Sequence, residues 1–182
     1  MTTYAKTQPV GRRQLLGWIG AGALTLHAPR VWAATEARSL AFRHTHTGES
    51  LNCTYWDSAG YRGGALSEID QILRDHRTGD VAIMDLGMLD LLHALRVTMG
   101  SDEPFDVISG YRSPKTNEML RDKGSGVAKK SLHMTGRAID IRLPGRQTTE
   151  LRTAAIALQG GGVGYYAKSD FIHLDVGRVR QW

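Results

Sequence analysis

Short segments with alternating hydrophobic and polar residues predict β-strands at several places along the chain. The first two, residues 39–43 and 51–56, flank a Thr-Gly-Glu sequence at 47–49 that is typical of a hairpin turn. The second half of the chain contains four further segments of this kind, residues 105–111, 138–143, 163–166 and 171–176. The alternation therefore predicts about six short strands.

Four segments between these strands carry hydrophobic residues at helical spacing. They run from Ala65 to near Arg77, from the N-cap Asp85 to Gly100, from Ser113-Pro114 to near Gly124, and from a cap at Thr148 or Thr149 to Leu158. Strands and helices in this order predict an α+β fold. We expect a single domain with a small, largely antiparallel sheet and helices packed against it.

The first 33 residues have the pattern of an export signal. Arg12-Arg13 precedes a short apolar run that is too short to span a bilayer, and small residues follow near Ala33. The arginine pair and the weakly hydrophobic, glycine-rich run favour a twin-arginine signal, with a mature chain that starts near Ala34. An ordinary secretory signal or an uncleaved anchor is the alternative. Residues 34–182 have the size of one ordinary domain.

Charge and cysteine content exclude several classes of protein. The formal net charge is +5, but residues 1–33 contain four basic and no acidic residues. The rest of the chain keeps 19 basic residues against 18 acidic ones, so its charge gives no reason to predict a nucleic-acid partner. Cys53 is the only cysteine, which excludes an intramolecular disulfide framework. We expect a monomer without an integral membrane segment in the mature chain.

Two histidines and an aspartate lie where two predicted strands can bring them together. His133 precedes Asp140 by seven residues, and on a strand at 138–143 Asp140 faces away from the hydrophobic residues beside it. On the last strand, His173 faces away from its hydrophobic neighbours in the same way. Two imidazoles and a carboxylate suit Zn²⁺, and three protein ligands leave a position open for water. The alternative is that all three are ordinary surface residues.

The other histidines and the glycine run have simpler interpretations. His44 and His46 place two imidazoles on one face of a strand, but nothing nearby in the sequence completes a metal site. The glycine-rich residues 160–164 lack the spacing of a nucleotide-binding loop. Glycine here favours the close approach of a substrate backbone or of a neighbouring strand. Tyr165 and Tyr166 are candidates to line such a groove.

Several motifs in a fixed order resemble one known family. They are Ser-Gly-Tyr-Arg-Ser at 109–113, the segment from His133 to Asp140, Gly-Gly-Val-Gly-Tyr-Tyr at 161–166 and Phe-Ile-His-Leu-Asp at 171–175. The sequence resembles the MepK-type murein endopeptidases, within the superfamily of zinc D-Ala-D-Ala peptidases and the hedgehog fold. The resemblance covers essentially the whole chain. It implies that His133, Asp140 and His173 are the ligands of one zinc ion.

The resemblance also implies catalytic and substrate-binding residues. Two residues are candidates for the general base. Asp170 lies at the position where the wider superfamily often has an acid, and Asp175 shares the outward face of His173. We favour Asp170 as the base, with Asp175 orienting groups beside the metal. Arg112 is expected to anchor substrate or to stabilise the oxyanion. Ser109 and Tyr111, beside Arg112, are expected to contact substrate. The basic residues before His133 give a separate expectation: Lys130 lies in a lip that would attract an anionic stem peptide, or else in an ordinary solvated loop.

These expectations converge on a zinc-dependent murein endopeptidase that hydrolyses peptidoglycan peptide cross-links in the periplasm. Its substrates are peptidoglycan stem peptides, with the diaminopimelate–diaminopimelate bond favoured and the D-Ala–diaminopimelate bond as a second possibility. Export would use the twin-arginine machinery. Two alternatives stay open at this point: a D,D- or L,D-carboxypeptidase that trims stem peptides, and a non-catalytic zinc-containing murein-binding protein.

Overall fold

The computed structural model describes residues 37–124 and 126–182, which belong to one compact unit. The predicted twin-arginine signal, residues 1–33, lies outside the described residues. Across the described ranges, every helix is too short or too polar to cross a membrane.

Within the described residues, the chain forms four α-helices and eight β-strands. The helices are α1 (Gly63–Ile72), α2 (Leu86–Met99), α3 (Pro114–Asp122) and α4 (Thr148–Ala157). The strands are β1 (Arg38–His44), β2 (Ser50–Asp57), β3 (Gly60–Tyr61), β4 (Phe105–Ser109), β5 (Ala138–Arg142), β6 (Gly162–Tyr166), β7 (Phe171–Asp175) and β8 (Arg180–Gln181). Short 3-10 helices, Leu132–Thr135 and Ala167–Ser169, precede β5 and β7.

All eight strands form one mixed sheet in the order β3-β2-β1-β4-β5-β7-β6-β8. The pairs β1–β4 and β6–β8 are parallel, and the other neighbouring pairs are antiparallel. The predicted α+β class and the predominance of antiparallel pairs are therefore confirmed. The sheet is larger than expected because β3 and β8 have two residues each, too few to show an alternating pattern.

Local chemistry explains where the helices begin and end. Helix α2 starts after Asp85, whose carboxylate accepts the Gly87 N–H, and it ends at Gly100 in the left-handed conformation. Both ends agree with the prediction. Helix α4 is capped instead by Gln147, in a capping box with Glu150, and not by Thr148 or Thr149.

Helix α1 is shorter than predicted, and the reason is a buried carboxylate. It ends at Ile72, and the chain then turns so that Asp75 accepts hydrogen bonds from the Arg77 backbone N–H and from the backbone N–H and hydroxyl of Ser113. Asp75 is nearly fully buried. These bonds satisfy the carboxylate only if the helix stops before it.

The hydrophobic core occupies one face of the sheet. Helices α1, α2 and α4 contact the sheet on this side. The buried members of the hydrophobic core include Phe42, Met88, Leu92, Phe105, Val107, Ile139, Ile141, Ile172 and Leu174. Because side chains alternate along a strand, the residues between these, including Asp140 on β5 and His173 on β7, project from the opposite face.

Candidate metal centre

Strand register places two candidate ligands side by side. Strands β5 and β7 are antiparallel neighbours, and Asp140 is the direct partner of His173 in their pairing. Directly opposed residues in an antiparallel pair carry their side chains on the same face, with Cβ atoms about 5 Å apart. Strand pairing alone therefore places the Asp140 carboxylate close to the His173 imidazole.

The third candidate ligand comes from the 3-10 helix before β5. The Ser131 hydroxyl caps this helix by accepting the His133 backbone N–H, and Gly136 ends it in the left-handed conformation. A Cβ atom at Gly136 would overlap the backbone carbonyl of Ile83. Only glycine satisfies both the conformation and the contact, so this residue fixes the turn that directs His133 towards the sheet.

The three side chains form a compact triangle of ligand atoms. His133 Nε2 lies 3.2 Å from His173 Nδ1 and 3.3 Å from Asp140 Oδ1, and His173 Nδ1 lies 2.9 Å from Asp140 Oδ1. A tetrahedral zinc site with ligand bonds of about 2.0–2.1 Å separates its ligand atoms by about 3.3 Å. The donor set and its spacing therefore fit a divalent metal ion. In the part of the chain that the structure describes, no other three His, Cys, Asp or Glu side chains approach one another as closely.

Hydrogen bonds on the far side of each ring direct a nitrogen lone pair towards the triangle. His133 Nδ1 lies 2.8 Å from the carbonyl oxygen of Gly110, so it donates there and leaves Nε2 free to bind a metal. His173 Nε2 lies 3.1 Å from Asp175 Oδ2, which leaves Nδ1 free in the same way. With these two bonds made, His133 Nε2 and His173 Nδ1 are the nitrogens that face the triangle and can bind a metal ion.

Asp175 is fully buried and has several hydrogen-bond donors. Arg180 donates to both of its carboxylate oxygens, at 2.6 and 3.0 Å, and the Gly177 backbone N–H donates at 2.8 Å. Burial alone would raise the pKa of Asp175, but His173, Arg180 and the backbone donors hold this pKa well below its usual range. Asp175 therefore stays anionic beside His173.

Burial and neighbouring groups also have opposing effects on the pKa values of Asp140 and His173 within the triangle. Burial would raise the pKa of Asp140, yet His133 and His173 hold it well below its usual range. Burial would lower the pKa of His173, but Asp140 and Asp175 raise it above its ordinary value. The cluster is therefore an anionic environment around two imidazoles, which favours a bound cation.

Arg112 lies beside the triangle. Its side chain is about 10% exposed, and it donates weakly to Ser109 Oγ at 3.4 Å and to Asp140 Oδ2 at 3.5 Å. Its Nε is buried without a hydrogen-bond partner among the described residues. Burial lowers the pKa of Arg112, against the attraction of Asp140. The guanidinium therefore retains hydrogen-bonding capacity for another group.

A cavity of about 360 Å³ opens over these residues. Its lining includes Arg112, the three candidate ligands and Asp175, together with Lys130 and Ser131 from the loop before the 3-10 helix. Further lining comes from Gly126, Val127, Ala128 and Leu132, and from Tyr166, Phe171, Arg180 and Trp182 in the last part of the chain. The cavity thus combines basic side chains with an aromatic wall.

Three of the predicted site residues do not line this cavity. The carboxylate of Asp170 is largely exposed and accepts a hydrogen bond from Thr148 at the start of α4. Ser109 is buried beneath Arg112, and Tyr111 packs against the core. Asp170 is displaced because it turns in the left-handed conformation (φ 50°) immediately before β7.

Arg180 and Trp182 were not predicted from the sequence. They lie in the last three residues, where no periodic pattern marks a functional segment. The sequence signal that could have pointed to them is the pair Gly162 and Gly164, because two glycines on one face of a strand leave room for another segment to approach. Tyr166, which was a candidate, does line the cavity, whereas Tyr165 packs against the core.

Comparison with known proteins gives consistent matches. The family described as "Peptidoglycan L,D-endopeptidase MepK" matches residues 32–182. The Escherichia coli K12 protein named "Peptidoglycan L,D-endopeptidase MepK" is 38% identical over 175 residues, which cover 94% of this chain and 96% of that protein. The Haemophilus influenzae protein named "Probable peptidoglycan L,D-endopeptidase MepK" is 40% identical over 148 residues, covering 81% of this chain and 80% of that protein.

Proposed function

Because the chain belongs to the peptidoglycan L,D-endopeptidase MepK family of peptidases, we propose that it is a zinc-dependent endopeptidase of peptidoglycan cross-links. The observation that carries the proposal is the triangle of His133 Nε2, Asp140 Oδ1 and His173 Nδ1, with sides of 2.9–3.3 Å. His133, Asp140 and His173 would hold a zinc ion there, which would act as a Lewis acid towards a carbonyl group and would make water a nucleophile at neutral pH.

We assign Arg112 to stabilising the oxyanion, the negative charge that develops during cleavage. Its guanidinium lines the cavity beside Asp140 and has a buried Nε without a partner among the described residues. A donor fixed in a buried position stabilises an oxyanion more strongly than a donor in water, because no reorganisation is needed when charge develops. The planar group also suits a substrate carboxylate.

The two predicted general bases receive different assignments. Asp175 lies on the opposite side of the His173 ring from Nδ1 and already binds Arg180. We assign it to positioning His173 and keeping the ring in the metal-binding tautomer. Asp170 faces Thr148 and does not line the cavity. The general-base role stays a prediction for both, and this geometry does not favour either of them.

The bond that is cleaved is proposed from the relatives and from the charge of the cavity. The relatives are named L,D-endopeptidases, which agrees with the expected diaminopimelate–diaminopimelate cross-link; a D-Ala–diaminopimelate bond is the second candidate. Arg112, Lys130 and Arg180 line the cavity and would attract the carboxylates of such stem peptides. We further propose that residues 1–33 direct the protein through the twin-arginine route to the periplasm, where this substrate lies.

The experiment that tests the function is incubation of the purified protein with cross-linked muropeptides, with and without a chelator, followed by mass spectrometry. We expect dimers to be converted to monomers in a chelator-sensitive reaction, and the dimer consumed identifies the bond. Loss of a terminal residue alone would favour a carboxypeptidase. No product from a folded, zinc-loaded sample would favour a non-catalytic binding protein.

Variants locate the activity within the chain. His133→Ala is expected to abolish both zinc binding and cleavage, because it removes one corner of the ligand triangle. His46→Ala is the matched control, since His46 is exposed and does not line the cavity. Persistent cleavage by His133→Ala would refute the site assignment.

A further inference from the structure

The side chains of Arg180 and Trp182 occupy a space that two glycines leave open. Gly162 and Gly164 lie on the same face of β6, and their partners on β7 are Asp175 and His173. A Cβ atom at Gly162 would lie 2.5 Å from both Arg180 Nη1 and Asp175 Oδ2. A Cβ atom at Gly164 would lie 2.6–2.8 Å from three atoms of the Trp182 indole. These distances are too short for real side chains, so the glycines are required by the C-terminal residues.

Backbone and side-chain contacts fix the C-terminal residue in place. The Trp182 backbone N–H donates to the Val163 carbonyl at 3.2 Å, and the Tyr165 N–H donates to the Trp182 carbonyl at 3.0 Å. The indole N–H donates to the Tyr166 hydroxyl at 3.3 Å, and the Arg180 guanidinium lies 4.9 Å from the indole ring. Backbone hydrogen bonds, an indole hydrogen bond and a cation–π contact thus all hold Trp182 in position.

The indole borders the candidate metal centre directly. Its ring centroid is 5.3 Å from that of His173, and 47% of the residue is exposed. It lines the cavity with Tyr166 and Phe171, whose rings stack at 4.6 Å. A substrate whose scissile carbonyl reaches the ligand triangle would therefore have Trp182 close by. An exposed aromatic surface in this position offers apolar contact at little cost in conformational entropy.

We propose that Trp182 is a substrate-binding residue, whose indole packs against the hydrocarbon part of the peptide residue that flanks the scissile bond. Gly164 contributes by leaving the space in which the indole lies. Arg180 connects this wall to the metal centre, because the same guanidinium binds Asp175 and contacts the indole. The proposal rests on the proposed peptidase function and adds a determinant of substrate affinity to it.

The proposal is tested with steady-state kinetics on a cross-linked muropeptide dimer. Trp182→Ala is expected to raise KM roughly tenfold, the size of effect typical for truncating a buried aromatic contact, while kcat changes less and zinc content is unchanged. Trp182→Phe should recover part of the affinity. Gly164→Ala should also raise KM, because its Cβ displaces the indole. Gly64→Ala is the matched control, since a Cβ there meets no atom within 4 Å.

Dimer binding to the chelator-treated protein, measured by calorimetry, separates this proposal from the proposed function. If the wild type cleaves the dimer and Trp182→Ala has an unchanged KM in a folded, zinc-loaded protein, the assignment of Trp182 is wrong. If the zinc-loaded wild type does not cleave the dimer, the peptidase proposal fails, and weaker dimer binding by Trp182→Ala than by the wild type still supports the binding site. Equal dimer binding by the wild type and Trp182→Ala overturns the assignment of Trp182 as a substrate-binding residue.

Discussion

His173 illustrates how a single side chain acquires a defined chemical state. Asp140 lies 2.9 Å from its Nδ1, and Asp175 lies 3.1 Å from its Nε2. Asp175 is fully buried and bound to Arg180, so it cannot follow the ring if the ring moves. These contacts at both nitrogens hold the ring in one orientation, with Nδ1 towards the ligand triangle. A ligand that is oriented before the metal arrives loses less entropy on binding it.

Asp175→Asn tests this positioning role. The amide is uncharged and holds Arg180 and His173 less strongly, so we expect zinc affinity to fall by about 10- to 100-fold. Competition with a chromogenic chelator measures the change. Asp170→Asn is the matched control, because Asp170 binds Thr148 outside the cavity, and it is expected to keep wild-type zinc affinity. Equal affinities for all three proteins would contradict the role.

A second group of histidines gives the stability a pH dependence. His76 contacts the rings of His44 and His46, with the His46 centroid 4.1 Å away in a stacked arrangement. Burial, Arg77 and the two histidines lower the pKa of His76 to about 4, against the opposing effect of Asp75. The unfolded chain keeps the ordinary value of about 6.5 and so binds the proton first.

The expected consequence is a loss of stability on acidification. The contribution of neutral His76 is fully present above about pH 6.5 and is lost as the pH falls towards about 4. His76→Gln should therefore reduce the fall in the free energy of unfolding between pH 7 and pH 4.5. Urea denaturation at several pH values measures it. Parallel curves for variant and wild type would show that His76 does not contribute.

At the scale of elements, the site depends on where β5 begins. The 3-10 helix Leu132–Thr135 and the turn at Gly136 join His133 to β5, and the backbone of Gly136 accepts the Asp85 N–H at the start of α2. The close contact between Gly136 and Ile83 docks this turn onto the segment before α2. The position of one candidate metal ligand, His133, is therefore set by packing between a turn and a loop.

Gly136→Ala should weaken both the fold and the zinc site. Gly145→Ala is the matched control, because both glycines have a left-handed φ, 66° and 74°, but a Cβ at Gly145 meets no atom within 4 Å. In both variants an alanine in the left-handed conformation costs about 1–2 kcal/mol of stability. We expect a larger destabilisation in Gly136→Ala, measured by denaturation, and reduced zinc content only in that variant. Equal behaviour would show that the Ile83 contact is unimportant.

At the scale of the whole molecule, the sheet separates stability from chemistry. One face carries the hydrophobic core and its helices, and the other carries the candidate metal-binding side chains and the cavity. Substitutions on the cavity face can therefore change activity with little change in the core. A folded domain of this kind is also compatible with the proposed export route, which carries proteins across the membrane in the folded state.

Reporter fusions test the proposed export signal. Residues 1–33 fused to a reporter that is active only after folded export should give a periplasmic signal, because the arginine pair precedes a short apolar run. Replacement of Arg12 and Arg13 by Lys should abolish this signal, while an ordinary secretory signal would tolerate the change. Export of the double variant at the wild-type level would favour the ordinary secretory route.

The sequence by itself determined the fold class, most strands and helices, and the grouping of His133, Asp140 and His173. These features follow from periodicity along the chain and from the alternation of side chains on strands, which near neighbours control. The hydrophobic faces of β5 and β7 placed Asp140 and His173 on one side of the sheet, while the direct pairing of the two strands came from the tertiary structure. Both ends of α2 were predictable for the same reason, since Asp85 and Gly100 act locally.

Only the tertiary structure decided which groups surround that site. It turned Asp170 towards Thr148, bound Asp175 to Arg180, and placed Trp182 over Gly164. It also brought His76 beside two histidines that are about thirty residues earlier in the chain. Such contacts depend on long-range packing and on strands of two residues, which leave no periodic pattern in the sequence. The chemistry of the ligands was thus encoded locally, while the walls and the orienting groups of the site were set by the fold.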